Sequence, residues 1–336
     1  MNGSYSIFAR LVFLGAVSVL APVTGANAAC PTDQILNLIQ ICDDANYNNP
    51  CHGTLTADQL SFTRRQFAEA YEHLIPQAQE WLCSMREIRV IKAGYEGLSL
   101  SAYNSKTGER IFGVNAHFLT DQLGLDYVGY YDLSHWVDFG FFGVSGFDIG
   151  ARVRTALLQQ APEFGFQATP STWAALVALI GHEFGHFLAN FPPASTALGF
   201  PCDASQCASY AGSFAAISFA NPDHGGLTIV GPDALADATE TLVQEHTVGQ
   251  DLSNAAQIVD KYRRLMNSSF LSPFAAQYIE EDLAESTSFY VLLRAGIDWR
   301  LQLSNGESVD LLARVRAPAG RTGSKIIKIQ KAMGGT

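Results

Sequence analysis

The stretch LIGHEFGHFLANF, Leu179–Phe191, sets two histidines four residues apart, with a glutamate beside the first, inside an otherwise apolar run. On an α-helix residues i and i+4 lie one above the other, so His182 and His186 can turn two ring nitrogens toward one ion. Glu183 points about a hundred degrees round the helix, which keeps it off that ion and places it as a base toward a water held there. Gly185 leaves one side of the helix bare for close packing. A His-Glu-x-x-His string arises by chance about once in a hundred chains of this length. The spacing predicts a helix capped by Ser171, apolar through Trp173, Leu176, Val177, Ile180, Phe184, Phe187 and Leu188, and ended by Pro192 and Pro193.

Zinc suits paired imidazoles, and a hydrolytic zinc site needs a third protein ligand and one position left for water. One type of site takes that ligand from a histidine six residues past His186, after a glycine, but those positions hold Pro192 and Ala189. The downstream histidines His224 and His246 are candidates without a supporting pattern. IEEDLAES, Ile279–Ser286, is the better one, because Glu281 and Glu285 share a helix face. One of these carboxylates can bind zinc while the other, one turn away, holds a ligand histidine through its second nitrogen. Ala284 is small on the adjoining face, and the helix turns apolar in LAESTSFYVLL, so it is expected to be buried against the motif helix. Such a zinc lowers the pKa of a bound water and polarises a carbonyl, Glu183 takes the proton, and an amide is hydrolysed.

The chain of 336 residues is 48% hydrophobic and 16% charged, a globular composition with room for one large domain or two modest ones. Its net charge of -11 argues against nucleic acid or an anionic membrane as partner. Residues 1–28 read as an export signal: Arg10, the apolar run Leu11–Ala21, Pro22, and the small residues Ala26 and Ala28 before the cleavage point. A secreted or periplasmic chain follows, with a lipid-modified Cys30 in NAAC as an alternative. No later apolar run is long enough to span a bilayer. Six cysteines in an exported chain imply disulfides, with Cys202 paired to Cys207 and Cys30, Cys42, Cys51 and Cys83 pairing among themselves in an order the sequence leaves open.

Leu60–Met85 has helical spacing divided by Pro76. Glu87–Gly94, Leu98–Asn104 and Glu109–Phe118 read as strands, the last two joined by the turn SKTGE, which predicts a small, mostly antiparallel sheet. Asp126–Gly150 is rich in aromatics and glycine and serves packing or lines a cleft. A helix near Ala151–Gln160, the loop APEFGFQATPS and helices near 208–219, 233–246 and 252–266 are expected, then a last helix from Ala275. The resulting division is 1–28 signal, 29–120 cysteine-containing helical segment and sheet, 121–320 catalytic region and 321–336 C-terminal tail.

HEFGH, His182–His186, followed about ninety residues later by SPFAAQYIEEDLAES, Ser272–Ser286, resembles the zincin metallopeptidases of the glutamate-ligand type, in particular the group that includes the anthrax lethal factor catalytic domain. The resemblance covers Ser171 to about Leu293. It implies an α+β fold with a small sheet over the active-site helix and a mainly helical C-terminal half, and an exported peptidase with protein or peptide substrates. Residue by residue it implies zinc held by His182, His186 and Glu281, with Glu183 as general base and Glu285 supporting the ligands from outside. In that family the segment before the glutamate helix reads Ser-x-Tyr-Ala, whose phenol can hydrogen-bond the developing oxyanion. This chain has Phe274 there, which leaves Tyr278, one turn on, or His246 as replacements. Two other functions fit the same residues: a zinc-binding adhesion or toxin-like recognition protein without turnover, and a zinc amidase of cell-wall peptides. Glu183 favours catalysis, since a pure binder has no need of a base beside its metal.

Overall fold

In a computed structural model of the chain, the described residues are 29–44, 46, 49–93, 97–103, 107–134, 151–155, 159, 165–168, 171–200, 212–220, 228–229, 263, 265–276, 279–302, 308–316 and 319–334. The motif stretch is helical over Thr172–Asn190, and every residue from Ala174 to Gly181 is buried. This helix is therefore central rather than amphipathic, as its run of apolar residues requires. It stops before Pro192 and Pro193, which have no N–H to continue the ladder. Ser171 stands at the N-cap with extended backbone, but its side chain makes no cap bond. The Trp173 N–H is accepted instead by Gln66 Oε1 at 2.9 Å.

Above the helix lies a four-stranded sheet in the order β1-β2-β4-β3, made of β1 Ile39–Cys42, β2 Glu87–Ile91, β3 Ser99–Tyr103 and β4 Arg110–Asn115. The β3–β4 hairpin is antiparallel, as its turn predicts, but β1 pairs parallel with β2 and β2 parallel with β4. The expectation of a mostly antiparallel sheet fails for a topological reason. A short helix α1, Thr32–Asn37, precedes β1, and the helices α2 Ala57–His73 and α3 Pro76–Cys83 cross back over the sheet between β1 and β2, a crossover long enough to return the chain in the same direction. Pro76 divides these helices as expected, standing at the first turn of α3, while Thr56 and Gln59 cap α2 reciprocally. The predicted third strand ends early, because Asn115 caps a short helix α4, Ala116–Thr120.

The start of the aromatic segment forms helix α5, Leu125–Ser134, with Tyr127, Val128, Tyr130 and Leu133 buried. β5, Gly165–Ala168, falls where a loop was expected and pairs antiparallel with β8, Trp299–Gln302, which pairs with β9, Ser308–Asp310. Residues 151–155 are helical. The described end of the segment expected as a helix near 208–219 holds instead a 3₁₀ turn, Ala215–Ile217, and β6, Phe219–Ala220, paired with β7, Thr228–Ile229. The helix near 233–246 and most of the one near 252–266 lie outside the described residues, as do the signal segment and Cys202 and Cys207.

The carboxylate helix, Ile279–Arg294, packs along the motif helix more extensively than any other described pair of elements. Two glycines make this possible. A Cβ on Gly181 would stand 3.0 Å from Ser288 Cα, and one on Gly185 only 2.5 Å from Ala284 Cα, closer than two carbons can approach. The small residues expected on both faces thus meet backbone to backbone, and Ser288 Oγ donates across the seam to the Ala178 carbonyl at 2.9 Å. From residue 321 on the chain lies mostly within helix Gly320–Ala332, which buries Lys325, Ile326 and Ile329. One apolar core runs from Ile35 to Ile329. The fold is α+β with small sheets.

The four N-terminal cysteines do pair among themselves, as Cys30–Cys83 and Cys42–Cys51. The Cys30 sulfur is thereby committed, which removes the lipid-modified alternative. Two disulfides suit an oxidising compartment. Among the described residues no helix is long and apolar enough to cross a membrane.

Candidate metal centre

One turn apart on the motif helix, His182 and His186 bring their Nε2 atoms to 3.1 Å of each other. Glu281 reaches across from the carboxylate helix and sets Oε2 at 3.3 Å from His182 Nε2 and 3.4 Å from His186 Nε2. Three potential ligand atoms thus form a nearly equilateral triangle. Zinc bonded to nitrogen and oxygen at about 2.0–2.1 Å in tetrahedral geometry needs ligand atoms about 3.3–3.4 Å apart, which the triangle matches. Glu281 Oε2 is buried and aligned for a hydrogen bond with neither ring. A buried carboxylate oxygen left in that condition costs about 1–3 kcal/mol or more, and a cation shared by the three atoms relieves it. The residues present therefore fit a divalent metal, and among the described residues they form a group able to hold one.

Behind His182, Glu285 Oε1 accepts the Nδ1–H at 2.7 Å. That bond fixes the ring's tautomer and turns the Nε2 lone pair toward the shared point. Burial by itself would lower the His182 pKa, but the facing Glu281 and Glu285 carboxylates outweigh it and raise the pKa well above the ordinary imidazole value. For His186 burial likewise lowers and the Glu281 carboxylate raises, and the carboxylate wins. Burial would push Glu281 up, yet the facing imidazoles hold it far below the usual carboxylate range. The site attracts positive charge and takes protons when nothing better is offered.

Glu183 is 4% exposed, and its Oε1 accepts a hydrogen bond from Ser99 Oγ at 2.8 Å. His182, Glu183, His186 and Glu281 all border a cavity of about 460 Å³. Its walls include Leu98, Ser99 and Leu100 at the β3 edge and Val128, Tyr131 and Asp132 from α5. Phe274 lies parallel to the His182 ring, centroids 5.7 Å apart and planes 7° from parallel, so a bare ring occupies the place of the expected phenol. Tyr278, His246 and His224 lie outside the described residues. His182, His186, Glu183, Glu281 and Glu285 are brought together as the sequence anticipates.

Three cavity residues escaped sequence reasoning. Asp132 is buried, and burial first and then the Glu285 charge raise its pKa well above the carboxylate norm. Ser99 touches the candidate base, and Tyr131 brings a phenol to the wall. Ser99 had only the apolar–polar alternation of its strand as a signal, and Asp132 and Tyr131 only their place in the aromatic segment. No protein-family model, curated protein or solved structure matches the chain.

Proposed function

We propose that the protein is an exported zinc metallopeptidase of zincin type. The observation that carries this reading is the triangle of His182 Nε2, His186 Nε2 and Glu281 Oε2, with edges of 3.1, 3.3 and 3.4 Å and an oxygen that no hydrogen bond satisfies. These residues would hold zinc, which when bound supplies a Lewis acid for a carbonyl and acidifies a water. Glu183, buried beside the triangle and tethered by Ser99, takes the proton of the attacking water and returns it to the leaving amine nitrogen. β3 lines the cavity at the edge of its sheet, and among the described strands only β4 pairs with it. An extended peptide can add to such an edge through its backbone, which favours peptide substrates over compact amides.

Phe274 favours a second reading, zinc binding without turnover, because it offers no hydrogen to a developing oxyanion. One experiment separates the two. Residues 29–336 are purified, bound zinc is quantified, and cleavage of a mixed peptide library is compared for wild type and Glu183→Gln. One zinc in each and cleavage by wild type alone supports the peptidase. Equal zinc and no cleavage by either overturns the peptidase reading, and the binder survives.

A further inference from the structure

We infer that the Ser99 hydroxyl is a positioning device for Glu183, joining the candidate base to the strand on which a substrate would lie. The inference rests on the hydrolytic reading above and adds a residue that neither the motif nor the resemblance contains. Glu183 belongs to the motif helix and Ser99 to β3, 84 residues earlier, yet Oγ donates to Oε1 at 2.8 Å. A glutamate has three side-chain torsions to hold, and this one shares the cavity wall with the carboxylates of Glu281, Glu285 and Asp132. A neutral donor on a short side chain tethers it without adding charge. Ser99 is itself held by the ladder, opposite Val114 of β4.

The consequence lies in where the tether comes from. A hydroxyl from a remote loop would fix Glu183 relative to the protein alone. This one comes from the edge strand that borders the cavity, so a peptide paired to β3 and the carboxylate that serves it are fixed to one element. A misplacement of about 1 Å at a reacting group costs on the order of a hundredfold in rate, which is the error such a shared frame prevents.

The test compares wild type, Ser99→Ala and Ser99→Thr by steady-state cleavage of one library-selected peptide, by zinc content, and by crystal structures of the two variants. Threonine keeps the hydroxyl and suits a strand. Ser99→Ala is expected to lose about ten- to a hundredfold in kcat with KM and zinc content unchanged, and to show the Glu183 carboxylate displaced. Ser99→Thr is expected to restore kcat and the carboxylate position. Wild-type kcat in Ser99→Ala overturns the assignment. So does a loss that threonine fails to restore while Glu183 stays in place, since that would be a packing effect of β3. Failure of the peptidase reading is seen separately, as a wild type no more active than Glu183→Gln.

Discussion

The carboxylate helix buries two acids at neighbouring positions and treats them in opposite ways. Asp282 meets Lys325 Nζ at 2.6 Å, and the same ammonium donates to the Ser269 carbonyl at 2.8 Å. Both side chains are fully buried, so the chain supplies the countercharge itself and the pair is closed in charge, although Asp282 Oδ2 has no hydrogen-bond partner. Glu281 instead faces two imidazole nitrogens, which when neutral offer lone pairs and no charge. A buried carboxylate needs a positive partner. Where that partner is a lysine the result is structure, and where lone pairs converge we propose a site for an ion from solution.

Removing one half of the closed pair tests this contrast most severely. Lys325→Met is expected to destabilise the fold by about 3–5 kcal/mol in urea unfolding, because Asp282 is left buried and unpaired. Replacing both, Asp282→Leu with Lys325→Met, should recover most of that. Burial drives Asp282 up to about 6 and Lys325 down to about 8 against their mutual attraction, so desolvation outweighs the attraction and the charged pair adds no net stability at neutral pH. A single variant as stable as wild type would mean the pair is not closed.

Gly185→Ala is next in size. Its Cβ must displace the Ala284 backbone, and overpacking of this kind costs about 1–3 kcal/mol. Because the displaced backbone carries Glu281 and Glu285, zinc affinity by competitive titration should fall as well.

The open site should respond more in affinity than in stability. Glu285→Gln weakens the support of His182 and is expected to lower zinc affinity about ten- to a hundredfold, with a loss of metal-free stability smaller than that of Lys325→Met. A large loss of stability with unaltered affinity would reverse the roles given to the two regions.

The smallest expected effect is on pH. In the metal-free chain the pKa values of His182 and His186 are raised above the ordinary 6.5. Their contribution to stability is therefore full below about 6.5 and is lost as pH rises through the raised values. Zinc competes with those protons, so its affinity should rise across the same interval while the metal-free melting temperature falls. Calorimetry with chelator and titration with zinc over a pH series measure both slopes, and parallel slopes would contradict the competition.

The motif helix was legible because two polar residues at i, i+4 in an apolar run leave few alternatives. The helix–helix seam was legible too, since Gly185 and Ala284 are small where close approach is needed. β1 was not, because IQIC is only four residues long and gains its partner β2 through a crossover of about forty residues. β5 was missed for a similar reason, as its partner β8 lies over a hundred residues away. Ser99 and Asp132 join the site through tertiary contact alone, and a single residue with no spacing partner gives no periodic signal.

We propose that the two rings and the distant carboxylate share one cation. A crystal of residues 29–336 grown with zinc, measured at wavelengths on both sides of the zinc absorption edge, tests it directly. One anomalous peak per chain is expected, within bonding distance of His182 Nε2, His186 Nε2 and a Glu281 carboxylate oxygen. A peak elsewhere, or none at these atoms, would contradict it.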